Sequence, residues 1–384
     1  MQSAPSPRNR TLIWLGNDEL QIAVARGGGH IAALHLPKNP SSINPYWEPP
    51  WRSLEPEEVS GALVDRDYGG APEGRLLASV LGHNLALDLY GPPSEQEVEA
   101  GLVTHGMIGV LPWTWEQRNP ATLVGNCRDP IAQVEFSRKL QVRGSSVLIE
   151  ESLTNLCAWD RPFAWQQHVS LGPPFLEDGF WAESNSERGA THPQSFGPGA
   201  SLIPGTETDW PYAPRRSGFF LDYRKPLEAD SVANDFTGYQ VSRRDELGNF
   251  VAGNSRFGFA LFYLWPRHFF PWMGIWDERH ARAAKPWEKR ASVRAYEFGV
   301  SPHPMLRREL LASSRLFDTP TYLILPARQI FSVRHVLGVF AHVHEAGKLV
   351  VSGDQAVLTR DEREISRVTL PGQCSSSMRW EMRA

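Results

Sequence analysis

The stretch TLIWLGNDELQIAVARGGGHIAALHL, residues 11–36, decides the fold class. It contains three short runs in which apolar residues recur with a period of two, and the runs are separated by Gly16-Asn17-Asp18 and Gly27-Gly28-Gly29. A period of two is typical of β-strands, and Gly- and Asn-rich breaks are typical of tight turns. The stretch therefore predicts a three-stranded β-meander.

Strand patterns continue along the rest of the chain. A hairpin is predicted over residues 131–155, with its turn at Gly144, and further strands are predicted at 236–241, 257–265, 272–276, 321–325, 329–334 and 348–352. Residues 303–313 predict one short helix, and the Pro-rich residues 37–75 and the polar residues 177–230 predict loops. Many short strands with few helices favour an all-β antiparallel sandwich. We expect residues 1–10 to form a disordered or extended tail and residues 11–384 to form a single β-domain.

Composition narrows the possible partners. The 384 residues carry a net charge of −4, and no Lys- or Arg-rich run indicates a nucleic-acid surface. No apolar run approaches the roughly 20 residues that span a bilayer, and the first ten residues lack the apolar core of a secretory signal. Three cysteines at unrelated spacings make neither a disulfide framework nor a zinc site. The sequence therefore predicts a cytoplasmic protein without nucleic-acid or membrane partners.

Three segments place a proton-transfer residue at the edge of an apolar strand pattern. They are Gly101-Leu-Val-Thr-His105-Gly, Trp165-Gln-Gln-His168-Val-Ser and Val293-Arg-Ala-Tyr-Glu297-Phe. Two imidazoles and one carboxylate held on a rigid sheet could transfer protons near pH 7. The same three residue types could equally ligate a metal ion, and spacing alone does not separate the two possibilities. The chain also has 14 tryptophans, whose flat rings serve as core filler or as stacking surfaces for sugars.

The order of these segments resembles that of the aldose 1-epimerase (galactose mutarotase-like) family over roughly residues 12–310. The matching pieces are Gly28-Gly29, Asn44-Pro45, His105-Gly106, Thr154-Asn155 with Pro162-Phe163 before His168, Asn234-Asp235 and Tyr296-Glu297. The resemblance implies a β-supersandwich that holds a sugar in a cleft on one large sheet. It departs from the family where Met107-Ile108 stand in place of an acidic residue.

The resemblance implies an enzyme that interconverts the α and β anomers of a sugar without a metal or a cofactor. It implies Glu297 as the base, His168 as the acid and His105 as a hydrogen-bonding residue near the ring oxygen. Further sugar contacts are expected from Asp235 (with Asp222 as its rival), Arg75, His83, Trp165 and Asp88. We expect a small-molecule sugar as the substrate and a monomer or homodimer as the assembly.

Other functions remain open at this point. A non-catalytic carbohydrate-binding protein would use the same cleft and the same aromatic residues. A hexose 6-phosphate 1-epimerase-like enzyme would need an arginine cluster, for which Arg215, Arg216, Arg243 and Arg244 are candidates. A polysaccharide-processing enzyme is disfavoured, because the sequence has no block of predicted helices.

Overall fold

Two large antiparallel sheets dominate the protein in the computed structural model, which describes residues 10–228, 231–371 and 380–383. In these residues the first sheet has eleven strands. Ten lie side by side in the order β1 (Leu12–Gly16), β2 (Gln21–Ala25), β3 (Ile31–His35), β4 (His83–Asp88), β9 (Arg161–Leu171), β19 (Ser292–Gly299), β18 (Trp272–Arg279), β15 (Ala233–Val241), β11 (Ser186–Thr191) and β12 (Glu207–Asp209). The eleventh, β22 (Leu323–Leu325), pairs with β9.

The second sheet has nine strands within the same ranges. Eight follow the order β10 (Phe180–Ser184), β16 (Leu247–Asn254), β17 (Phe259–Pro266), β23 (Ile330–Ala341), β8 (Ser146–Asn155), β7 (Val134–Arg143), β6 (Thr122–Asp129) and β5 (Thr114–Asn119), and β27 (Trp380–Arg383) pairs with β23. A separate three-stranded sheet consists of β24 (Lys348–Ser352), β25 (Gln355–Arg360) and β26 (Arg363–Thr369).

Short elements complete the described fold. Two small hairpins are β13 (Tyr212–Pro214) with β14 (Phe220–Asp222), and β20 (Arg315–Leu316) with β21 (Thr319–Pro320). The helices are α1 (Gly61–Asp67), α2 (Gly74–Ser79), α3 (Glu95–Glu99) and α4 (Arg307–Ala312), with 3₁₀ turns at Pro56–Glu58 and Ile108–Val110.

The main core lies between the two large sheets and is rich in aromatic rings. Trp265 of the second sheet stacks on Phe298 of the first, with ring centroids 4.2 Å apart. Burying each such side chain contributes about 1.5–3 kcal/mol to folding, so this interface supplies much of the stability. One ion pair is enclosed in it, because Arg138 and Glu151 are both fully buried and lie 2.6 Å apart.

The three-stranded sheet covers the outer face of the second large sheet. Leu349, Leu358 and Val368 of the small sheet form one buried cluster with Phe262 and Val336 of the large one. The chain therefore has a third layer in this region, built from residues after 342.

The structure confirms the all-β class, the meander of residues 11–36 and the hairpin over 131–155. The predicted loop at 37–75 contains α1, and the predicted loop at 177–230 contains the five strands β10 to β14. The predicted helix at 303–313 is shortened to α4, which begins after the extended residue Leu306. Of the predicted tail, residues 1–9 lie outside the described residues. Arg10 is a buried part of the domain that donates to the Ser79 and Gly27 carbonyls.

Candidate active site

Three polar side chains lie in one row across the middle of the first sheet. Asn84 of β4 is the cross-strand partner of His168 of β9, and His168 is in turn the partner of Glu297 of β19. Directly paired residues of neighbouring strands project from the same face of a sheet. All three line a cavity on the face that is turned away from the second sheet.

The cavity has a volume of about 710 Å³ and its walls are largely apolar. Five tryptophan and phenylalanine residues line it, namely Trp47, Phe196, Phe236, Trp276 and Trp287. Trp47 and Trp287 are stacked with ring centroids 6.2 Å apart and an interplanar angle of 15°. The size and the few convergent polar groups are typical of a small-molecule site.

The three residues predicted to transfer protons meet at this cavity. His168 Nε2 lies 3.1 Å from Glu297 Oε1, and the ring centroids of His105 and His168 are 5.2 Å apart. The Tyr90 hydroxyl donates a hydrogen bond of 2.7 Å to Glu297 Oε2, so each carboxylate oxygen has one partner. His168 Nδ1 is held by a 3.0 Å hydrogen bond with Ser170 Oγ, which orients the ring.

Burial determines the protonation of this group. It raises the pKa of Glu297 to about 8, an effect that the hydrogen bond from Tyr90 partly offsets. Burial, with the neighbouring His105, lowers the pKa of His168 well below its usual range. Burial and Arg282 lower the pKa of His105 to about 4. Near pH 7, Glu297 and His168 therefore share one proton in a pair without net charge.

Gly274 makes room for this arrangement. It lies on β18 directly opposite Glu297, between β19 and β15. A Cβ atom at this position would lie 2.4 Å from Phe236 Cζ and 2.9 Å from the Tyr90 hydroxyl. Any larger side chain would therefore displace the donor that holds Glu297.

Two functional candidates were not predicted from the sequence. Asn84 is 1% exposed, and neither its Oδ1 nor its Nδ2 has a hydrogen-bond partner, so a donor and an acceptor are available to a ligand in the cavity. Arg282 is the one Lys or Arg among the described residues that line the cavity. Its guanidinium lies 4.6 Å from the Trp287 ring centroid and donates to Glu73 at 2.7 Å.

The prediction of Arg75 as the cleft arginine is corrected, because Arg75 lies on α2 outside the cavity lining. Three more residues that were predicted to contact the sugar also lie outside the cavity lining, namely His83, Asp235 and Trp165. His83 faces the second sheet and hydrogen-bonds Gln167 at 2.9 Å and the Tyr263 hydroxyl at 3.0 Å. Trp165 is fully buried in the core between the sheets.

Asp235 holds a loop in place through hydrogen bonds. Its carboxylate accepts hydrogen bonds from the backbone and hydroxyl of Ser201 and from the backbone of Leu202. Its neighbours Asn234 and Phe236 line the cavity. Asp222, the alternative candidate for this role, also lies outside the cavity lining and pairs with Arg224 at 3.0 Å.

Asp88 is a structural carboxylate outside the cavity lining. It is buried at the end of β4 and forms two 3.0 Å hydrogen bonds with Arg307, the first residue of α4. Arg161 of β9 also donates to it. Asp88, which was predicted to contact the sugar, therefore lies away from the candidate site.

No group of three or more His, Cys, Asp or Glu side chains in the described ranges is arranged to hold a metal ion. Among the same residues, no helix is both long enough and apolar enough to cross a membrane.

Neither a protein-family model nor a curated protein matches the chain. Solved structures do match. A Klebsiella pneumoniae protein described as a candidate aldose 1-epimerase superposes with a TM-score of 0.59 at 13% identity, covering 85% of this chain and 78% of that one. A galactose mutarotase related enzyme from Lactobacillus acidophilus gives 0.56 at 12% identity, covering 87% and 99%. An aldose epimerase homologue from C. elegans gives 0.55 at 10% identity, covering 87% and 99%.

These three structures have the same two-sheet architecture as this chain over most of its length. The chain therefore has the galactose mutarotase-like β-supersandwich fold, as the resemblance of its sequence segments implied.

Proposed function

We propose that this protein is an aldose 1-epimerase-like isomerase that interconverts the α and β anomers of a free sugar. The observation that carries the proposal is the 3.1 Å contact between His168 and Glu297 in a tryptophan-lined cavity. Opening a pyranose ring requires one group that accepts the proton of the anomeric hydroxyl and another that protonates the ring oxygen. A pair that holds one proton between two basic sites can supply both groups.

In the proposed reaction the shared proton first moves from Glu297 to His168 across their 3.1 Å contact. Glu297 then accepts the anomeric proton, and His168 donates its proton to the ring oxygen. Rotation about the C1–C2 bond follows, and ring closure reverses both transfers, so the proton count of the enzyme is unchanged. Each transfer contributes about 10²–10⁴-fold to the rate. Tyr90 holds Glu297 Oε2, so the oxygen that accepts the anomeric proton in the proposed reaction is Oε1, which contacts His168 Nε2 in the absence of a sugar.

Two neutral groups complete the proposed sugar site. The low pKa of His105 keeps its ring uncharged, so it can hydrogen-bond the ring oxygen without opposing protonation of that atom. Asn84 offers an unpaired donor and an unpaired acceptor beside His168, which suits a hydroxyl of the sugar.

The distribution of charge favours an uncharged sugar over a sugar phosphate. Arg282 is the one cationic side chain among the described residues of the cavity lining, and it is already bonded to Glu73. Of the arginines expected for a phosphate site, Arg215 pairs with Glu228 and Arg243 lines a different pocket. Arg216 and Arg244 are also absent from the residues that line the cavity. The lining also contains Glu309, which would repel a phosphate.

The test is to follow anomer interconversion of freshly dissolved glucose, galactose and other aldoses by polarimetry. We expect the wild type to accelerate it and both His168→Ala and Glu297→Gln to lose at least about tenfold in rate, the low end of the effect of one proton-transfer group. The exposed residues His342 and Glu362 provide the matched controls His342→Ala and Glu362→Gln, which should retain the rate.

Sugar binding, measured separately by calorimetry, should largely survive in the His168 and Glu297 variants. Binding by the wild type without any acceleration would contradict the proposal and indicate a carbohydrate-binding protein. Equal rates in all variants would contradict the roles assigned to the two residues.

A further inference from the structure

A second pocket, which we call the arginine pocket, lies at the other end of the strands that carry the candidate active site. Its volume is about 410 Å³. β15 contributes Phe236 to the candidate active site and Gln240 to the arginine pocket, and the backbone after Glu297 reaches the pocket at Val300. The two cavities have no lining residue in common.

Two guanidinium groups line this pocket without a carboxylate partner. Among the ion pairs of the described residues, none involves Arg243 or Arg267. Both are instead oriented by backbone oxygens, because Arg243 donates to the Phe317 carbonyl and Arg267 donates to the Asp245 carbonyl at 2.6 Å. A hydrogen bond to a carbonyl fixes the direction of a guanidinium but leaves its positive charge uncompensated.

The charges around the pocket are unbalanced. Burial and the positive charge of Arg243 lower the pKa of Arg267, which places the two cations within electrostatic reach of each other. His268 lies beside Arg267, with its Nε2 3.3 Å from Arg267 Nη2. Two carboxylates oppose this charge. Asp318 lines the pocket at an exposed position, and Asp245 partly offsets the effect on Arg267 while accepting a hydrogen bond from Asn185.

Apart from Gln240 and Thr319, apolar and aromatic side chains form the rest of the lining. They include Phe269, Pro271, Pro320, Tyr322 and Leu323. An inorganic ion alone would leave these surfaces without contact. The pocket is therefore suited to an oxyanion that is attached to a compact ring or carbon skeleton.

We propose that the arginine pocket is a second binding site, which takes the oxyanion of a small phosphorylated or carboxylated molecule between Arg243 and Arg267. Planar guanidinium groups bind phosphate and carboxylate through paired hydrogen bonds, and both ligand classes share this chemistry. The site is distinct from the one proposed for anomer interconversion and does not depend on it.

Isothermal titration calorimetry with inorganic phosphate, glucose 6-phosphate, glucuronate and glucose tests the proposal. We expect the wild type to bind at least one of the two organic anions, more tightly than inorganic phosphate, and to bind it more weakly as salt is raised. Arg243→Gln and Arg267→Gln should each raise the Kd at least about tenfold, because charge-assisted hydrogen bonds are lost. The relative strength of the two organic anions identifies which oxyanion the site prefers.

The matched control is Arg244→Gln, which removes the same charge from the adjacent residue. Arg244 is exposed and does not line the pocket, so its variant should bind as the wild type does. An equal loss in the Arg244 variant would overturn the proposal in favour of non-specific charge attraction. Equal Kd values for the wild type and the Arg243 and Arg267 variants would place the anion outside the arginine pocket and overturn the proposal. An absence of anion binding by the wild type would overturn it as well.

Discussion

The single proton shared by Glu297 and His168 gives the proposed reaction a definite pH dependence. The pKa of Glu297 is raised to about 8 and that of His168 is lowered, so the pair keeps one proton throughout the neutral range and loses it as the pH rises through about 8. We expect kcat/KM to be constant between about pH 6 and 7.5 and to fall roughly tenfold per pH unit well above pH 8. Polarimetric initial rates, corrected for the uncatalysed reaction, measure this profile.

The Glu297→Gln variant provides the control for the profile, because its side chain does not titrate. Its residual rate should lack the fall near pH 8. A wild-type rate that increased through pH 8 would contradict the shared-proton description, since it would mean that only the ionised carboxylate is active.

Sequence patterns identified the residue types of the candidate site better than their positions. His105, His168 and Glu297 were predicted and do meet in the structure. His83 was predicted to contact the sugar, but its neighbour Asn84 is the residue that lines the cavity, a difference of one residue. Because successive strand residues face opposite sides of a sheet, such an error moves the side chain from the cavity to the core. The three-residue separation of Trp165 from His168 already indicated opposite faces of one strand.

Some site residues could not be predicted, because long-range contacts create their role. Tyr90 reaches Glu297 across 207 positions of sequence, and Arg282 meets Glu73 across 209. No local pattern encodes either contact.

At the scale of elements, Asp88 joins β4, β9 and α4 through Arg161 and Arg307. We expect Asp88→Ala to lower the free energy of unfolding by about 3 kcal/mol, because it leaves the partly buried Arg161 without a carboxylate and leaves Arg307 with Glu97 alone. Urea denaturation followed by fluorescence measures the change. The control is Glu364→Ala, which breaks an exposed pair with Arg367 and should cost about 1 kcal/mol or less. Equal losses in the two variants would contradict the structural role of Asp88.

The elements that the sequence predicted are those with long alternating patterns. β7 and β8 each have ten residues in which buried positions alternate with less buried ones, so their periodicity is unmistakable. By contrast, β12, β13 and β14 have three residues each, which is too few for a period to appear. The seven-residue helix α1 is similarly short, and the local cap at Ser60 is its main signal.

At the scale of the whole molecule, one buried polar network joins the two large sheets. Glu151 of β8 pairs with Arg138 of β7 and accepts a 2.6 Å hydrogen bond from Gln167 of β9, the residue before His168. We expect Glu151→Gln to destabilise the protein by about 3–5 kcal/mol, because a fully buried guanidinium loses its counter-charge. Thermal and urea unfolding measure this loss.

The adjacent residue Glu150 is the matched control. Its side chain is half-buried on the opposite face of β8 and pairs with Lys139 and Arg334. Glu150→Gln should cost about 1 kcal/mol or less, as exposed ion pairs do. If the Glu150 variant were as destabilised as the Glu151 variant, enclosure between the sheets would not be the cause.

The third layer covers an apolar face of the second sheet, so the residues that form it cannot be removed without exposing that face. Phe262, Val336 and Phe340 of the second sheet share one buried cluster with Leu349, Leu358 and Val368 of β24–β26. Truncating the chain after Ala341 would expose this apolar surface to solvent while leaving Glu297 and His168 in place. A truncated chain would therefore tend to aggregate through this exposed face, even with the candidate active site intact. Poor solubility of such a truncation would not be evidence against the proposed chemistry.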